Sequence, residues 1–252
     1  MTRFILLMLL LYSGVLLSQE NNTQLWEKAN AYYTTGDYQQ AITNYEQILL
    51  SGQESAKLYF NLGNAYYKTA NYNKALLNYE RAKLLAPDDE NIDFNIRMAN
   101  QFVVTGIEPL PLPFFVRWRT SVVNMFPSDT WSYISIAAFV LFLILTGLFI
   151  FSRIVTVRRI SFLTAIFMVV FSGFTYSFAS KQKKKITERN AAIVFCPRVT
   201  VKSSPSATGT DLFLIYEGLK VEMTDSIGTW KEIKLADRSE EHTSELQSLS
   251  HL

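Results

Sequence analysis

The stretch that decides the fold is Gly63–Lys83, GNAYYKTANYNKALLNYERAK, because it repeats Ala29–Leu49, ANAYYTTGDYQQAITNYEQIL, at one constant offset. Asn30, Ala31, Tyr32 and Tyr33 fall on Asn64, Ala65, Tyr66 and Tyr67. Tyr38, Ala41, Tyr45 and Glu46 fall on Tyr72, Ala75, Tyr79 and Glu80. Small side chains at Ala29 or Gly63, and at Ala41 or Ala75, let two helices of one unit approach closely. Tyr32 and Tyr45, with Tyr66 and Tyr79, fill the space beside them. A tyrosine stripe could also line a ligand site, but the period explains most of these rings as core. Asp37 and Asn71 are placed to cap the second helix of each unit, and Pro87 stops the last one. The following DDENIDFNIRMANQFVV, positions 88–104, reads as a solitary helix covering the open end of the stack.

This offset, together with the spacing inside it, resembles the tetratricopeptide repeat, a helix–turn–helix unit that stacks into an α-solenoid. The repeats occupy 22–55 and 56–89, and the capping helix extends the region to 105. Two repeats plus a cap is close to the minimum that buries a continuous core. The resemblance implies a concave face lined by first helices, with Trp26, Asn30, Tyr33, Phe60, Asn64, Tyr67 and Lys68 turned toward a protein partner. Asn30 and Asn64 match asparagines that some members use to grip a peptide backbone or terminal carboxylate. The basic residue of such a clamp is missing where Trp26 and Phe60 stand, so a generic protein-binding groove is the better expectation.

Hydrophobic segments frame these repeats. Positions 1–19 carry Arg3, an apolar run from Phe4 to Leu17 and then Ser18, the layout of a signal peptide, with an uncleaved anchor as the other reading. Tyr133–Ser152 and Ile160–Ala179 are each free of formal charge from end to end. At about 1.5 Å per residue each spans a hydrocarbon core of about 30 Å. They are expected as a transmembrane hairpin with a cytoplasmic loop at 153–159. Arg153, Arg158 and Arg159 in that loop agree with this, whereas Lys181, Lys183, Lys184, Lys185 and Arg189 after the second span pull the other way. The leader decides the orientation, and the lysines then meet anionic headgroups outside. Positions 106–132 form a spacer, extended at EPLPLP (108–113). An interfacial helix follows, with Phe115, Trp118, Val122 and Phe126 at helical spacing. Ser128 or Asp129 would cap the first span, and Trp131 would sit at headgroup depth.

Positions 191–237 alternate apolar and polar side chains in short runs broken by Gly209, Gly218 and Gly228, an all-β pattern. VTVKSSP (199–205), Glu217-Gly218 and Trp230 resemble the bacterial SH3-like domain. Its closing strand pair is missing from the pattern, so the barrel is expected to be truncated, with WKEIKLA (230–236) presenting bare backbone groups. Arg238–Ser248 resembles the translation of a sequencing-adapter oligonucleotide, and 238–252 is therefore expected to be an artefactual tail. Leader, repeats, spacer, hairpin and SH3-like domain, together with NIDFNIRMAN, IEPLP and VTVKSSPSATGTDLF, resemble the BatE family of the bacterial aerotolerance operon. That resemblance implies a place in the bacterial cytoplasmic membrane, with the repeats and SH3-like domain on the extracytoplasmic side. Its implied partners are envelope proteins, von Willebrand-type membrane proteins of the same operon among them, besides the lipid bilayer.

Composition narrows the chemistry. A net charge of +2 without a basic stripe gives no reason to expect nucleic acid. The single Cys196 excludes an intramolecular disulfide and reads as a small packed hydrophobe. Both histidines, His242 and His251, lie in the tail without a recognised metal-ligand spacing. No phosphate-binding or dinucleotide loop occurs, and Asp88, Asp89 and Glu90 read as a helix start. The expectation is a non-enzymatic scaffold anchored in the membrane, with no catalytic residues, cofactor or metal. The alternative is a wall- or glycan-sensing protein that uses the SH3-like domain to read peptidoglycan.

Overall fold

The computed structural model describes residues 21–103, 113–235, 241–245 and 249–251. The leader and nearly all of EPLPLP lie outside the described residues. The chain divides into two compact units, one of residues 1–83, 90–110 and 190–252, the other of 84–89 and 111–189.

In the first unit α1 is helical over residues 21–35, followed by α2 (Tyr38–Leu50), α3 (Ala56–Lys68), α4 (Tyr72–Leu85) and α5 (Glu90–Asn100). Each helical pair is punctuated as the sequence dictates. The Asp37 carboxylate accepts from the Gln40 amide at 3.2 Å, and the Asn71 side chain accepts from the Lys74 amide at 3.4 Å. Ala29, Ala41, Tyr45, Leu62, Ala65, Tyr79, Ala82 and Ile92 are essentially inaccessible to solvent. Tyr32 departs from the expected core and is exposed. Its counterpart Tyr66 is covered by the preceding repeat, where it meets Glu46, whereas no helix among the described residues precedes α1. Gly63, equivalent to Ala29, lies under the Tyr79 ring, where an added Cβ would stand 2.6 Å from Cε1.

The same unit holds a seven-stranded antiparallel sheet in the order β3-β2-β6-β5-β4-β1-β7. The strands are β1 (Ala191–Val194), β2 (Arg198–Lys202), β3 (Asp211–Tyr216), β4 (Lys220–Ile227), β5 (Trp230–Lys234), β6 (Glu241–Glu245) and β7 (Leu249–His251). Its core is Ala192, Val194, Val199, Val201, Ile215, Leu219, Val221, Ile233 and Leu235, and Cys196 packs against it as a hydrophobe. Among the described residues the sheet does not close on itself. The expected bare edge at WKEIKLA is overturned, because β5 pairs with β4 on one side and with β6 on the other. The reason is that ladder bonds are made by backbone groups, so an edge strand accepts a polar segment as readily as an apolar one. The β3–β4 turn touches the helical stack: Asn73 Nδ2 donates to Glu217 at 3.1 Å, and Lys220 pairs with Glu80 at 2.6 Å. Gly218, at φ +80°, presses against Val103.

In the second unit α6 (Phe114–Asn124), α7 (Ser128–Phe151) and α8 (Val155–Glu188) follow one another. The two long helices are long and apolar enough to cross a membrane. Their connection is Ser152–Ile154, not 153–159, because Arg158 and Arg159 are good helix formers and join the first turns of α8. Likewise α8 continues past Ala179 to Glu188. Pro127 precedes α7, and no side chain caps it. Trp131 is buried against Phe126 and Phe178 instead of spreading outward from the helix. The helices meet along small residues, with Ser135, Ala138, Ser161, Ala165, Ser172, Thr175 and Ala179 buried, the composition that lets membrane helices approach closely. Ser135 Oγ donates to the Ser172 carbonyl and Ser172 Oγ to the Ser135 carbonyl, both at 3.0 Å.

Gly63→Val is expected to force the Tyr79 ring out of place. Overpacking of this kind costs about 1–3 kcal/mol, and a lower urea midpoint for the helical signal measures it.

Candidate functional site

The first helices α1, α3 and α5 carry the expected groove, and its geometry recurs once per repeat. The Asn30 side-chain oxygen accepts from Tyr45 Oη at 2.7 Å and from Asn61 Nδ2 at 3.2 Å. One repeat later the Asn64 oxygen accepts from Tyr79 Oη and from Asn95 Nδ2, both at 2.8 Å. Each asparagine thus ties the second helix of its own repeat to the first helix of the next. The side-chain oxygens are committed to the stack itself, whereas the amide N–H groups, the donors that a peptide carbonyl or carboxylate would require, take no part in these bonds. Asn95 occupies the place of Asn61, so α5 is positioned as the first helix of a further repeat.

The aromatic residues follow the same period. Trp26 leans on Tyr45 with centroids 5.6 Å apart, and Phe60 on Tyr79 at 5.9 Å. Tyr33 meets Tyr38 edge-on, and Tyr67 meets Tyr72 edge-on, both at 5.4 Å. Phe102 then stacks on Tyr72 at 4.2 Å and touches Tyr67. Trp26, Tyr33, Phe60 and Tyr67 are half-buried, while Lys68 is exposed. Rings held at one edge and open at the other suit apolar and backbone contacts with a partner.

A cleft of about 440 Å³ opens beside Trp26, between Asn22 and Thr23 of α1, Ile48 of α2, residues 53–55, and Lys57 and Leu58 of α3. Of the seven residues expected to face a partner, Trp26 alone lines it. Sequence reading missed Lys57, whose ammonium sits 5.7 Å from the Trp26 ring centroid, within reach of cation–π attraction. Its signal was only a lysine in a first helical turn, which usually means a solvated face. Among the described residues no group of three His, Cys, Asp or Glu side chains is placed to hold a metal.

Burial governs the ionisation of the stack. It holds the Tyr79 phenol well above the ordinary value near 10, and Tyr33 and Tyr67 reinforce the shift. Tyr66 is raised in the same direction by burial first, then by its hydrogen bond to Glu46 and by that carboxylate's charge. Burial also depresses the Lys83 ammonium, which is paired with Asp93. Because the folded phenols keep protons that unfolded tyrosines lose, their contribution is whole below pH ~10 and declines above it. Unfolding free energy of the helical region is therefore expected to fall from pH ~10 upward, and Tyr66→Phe with Tyr79→Phe flattens the decline. Separately, Asn64→Ala leaves two donors without their acceptor. A loss of about 1–3 kcal/mol is expected, read from thermal melts followed by circular dichroism.

Residues 56–89 match the tetratricopeptide-repeat family, and residues 25–50 match it through a second pattern of the same family. A search of curated proteins finds no match. The chain therefore carries two tetratricopeptide repeats, modules that act in protein–protein interaction and are typically non-catalytic.

Proposed function

We propose that the protein is a membrane-anchored scaffold. Its repeats receive an envelope protein, and the α7–α8 hairpin holds the groove at the surface of the cytoplasmic membrane. The observation that carries this reading is a recognised pair of interaction repeats in one chain with two helices of spanning length and composition. The leader-like start supports an extracytoplasmic position for the repeats and the SH3-like sheet, since a hairpin returns the chain to the side it left. The resemblance to the BatE family supports partners encoded in an aerotolerance operon, von Willebrand-type membrane proteins among them.

The partner contacts belong to Trp26, Tyr33, Phe60, Tyr67 and Lys68, with Lys57 added. Asn30 and Asn64 hold the groove's shape through their side-chain oxygens and offer their amide N–H groups to the partner. Photo-crosslinking from position 33 in intact membranes is expected to capture a defined protein. Lys68→Glu is expected to reduce that capture several-fold with an unchanged melt. Capture that is the same with and without Lys68→Glu and Tyr33→Ser removes the groove from the interface. Orientation is tested by a maleimide that cannot cross membranes, applied to intact cells carrying Ser206→Cys in a Cys196→Ser background. Labelling before lysis is the expected result.

A further inference from the structure

The helix α6 is fastened to one end of the hairpin. The Val123 carbonyl accepts from Trp131 Nε1 of α7 and from Gln182 Nε2 of α8, both at 3.0 Å, and Lys185 Nζ donates to Asn124 at 3.2 Å. Gln182 follows closely on Ala179, the last residue of the expected second span. On a membrane reading of α7 and α8, this fixes α6 about 5 Å outside the hydrocarbon boundary, at headgroup depth.

At this level the side chains of α6 segregate. At about 100° per residue, Phe114, Phe115 and Trp118 fall on one arc together with Met125, the residue that ends the helix in αR conformation, and they are 75%, 69%, 63% and 53% exposed. Val123 lies on the opposite side and is buried. Arg117 and Arg119 flank the apolar arc on either side, and both are exposed. On α8, Lys181 and Lys183 flank Gln182 in the same way and are exposed too. An apolar arc bordered by cations, held level with two further cations, is complementary to acyl chains under anionic headgroups.

We infer that the α6 end of the hairpin is a binding surface for anionic phospholipid, with Arg117, Arg119, Lys181 and Lys183 receiving the headgroups and the α6 rings entering the acyl boundary. The inference rests on the membrane reading of the hairpin and gives it a lipid preference. It carries the expected meeting of these lysines with headgroups to a lipid preference shared with Arg117 and Arg119.

The full chain, reconstituted in nanodiscs of one part phosphatidylglycerol to four parts phosphatidylcholine, provides the test. Lipids retained after detergent extraction are counted by native mass spectrometry. Enrichment of phosphatidylglycerol over the bulk is expected, falling with each of the four cations replaced by glutamine and lost when all four are, and vanishing in molar salt, where the Debye length is about 3 Å. Arg153→Gln, Arg158→Gln and Arg159→Gln at the opposite end serve as the comparison and should leave the enrichment intact. Equal loss in both sets would make it a net-charge effect and overturn the assignment. A chain that inserts stably but retains both lipids in bulk proportion overturns the inference alone. A chain that fails to enter pure phosphatidylcholine nanodiscs overturns the hairpin reading with it.

Discussion

The stack depends on one oxygen per repeat. The Asn64 side-chain carbonyl takes the Tyr79 hydroxyl from below and the Asn95 amide from beside it, so one acceptor fastens three helices. Two repeats cannot bury a large apolar core, and hydrophobic burial alone is tolerant of sliding. A buried acceptor with two donors is not tolerant. A shift of one position would leave the Tyr79 hydroxyl, on a residue 1% exposed, without a partner at a cost comparable to a sizeable part of a small domain's stability. Directional bonds thus set the register, while Ala29, Gly63, Ala75 and the tyrosine rings supply the area.

On the proposed membrane reading, the hairpin solves the matching problem in a solvent without water. Lipid tails offer no hydrophobic drive for helix association, so α7 and α8 would associate there through shape and polar contact. Small residues bring the backbones together, and the reciprocal Ser135–Ser172 bonds then become geometrically available. The same logic operates at the hairpin's end, where Trp131 and Gln182 converge on one carbonyl of α6. Trp131 is accordingly a fastener between helices, with its indole N–H spent on backbone and not on water.

Legibility in the sequence followed the physics of each element. The repeats were readable because identical residues recur at one period, and their caps because Asp37 and Asn71 have a single local role. The two long apolar runs were readable from length and lack of charge. The groove was harder. Asn30 and Asn64 fall on the right helical face, but spacing does not reveal whether an amide oxygen turns toward a ligand or a neighbouring helix. The recurrence of asparagine at Asn61 and Asn95, which pair with Asn30 and Asn64 at the same separation, was available as a signal. Lys57 acquires significance only when folding carries Trp26 beneath it. The neighbour of β5 was illegible because strand pairing needs backbone rather than a side-chain pattern.

Among the described residues, α5 supplies a donor but not the equivalent acceptor, and that has a further meaning. Position 98, the counterpart of Asn64, is Met98, whose thioether accepts hydrogen bonds only weakly. The array therefore behaves like a polymer whose growing end has been chemically capped. Asn95 lets α5 join the preceding unit, and Met98 withholds the group that would recruit another. Among the described residues the acceptor recurs at Asn30 and Asn64 and gives way to a thioether at the third equivalent position.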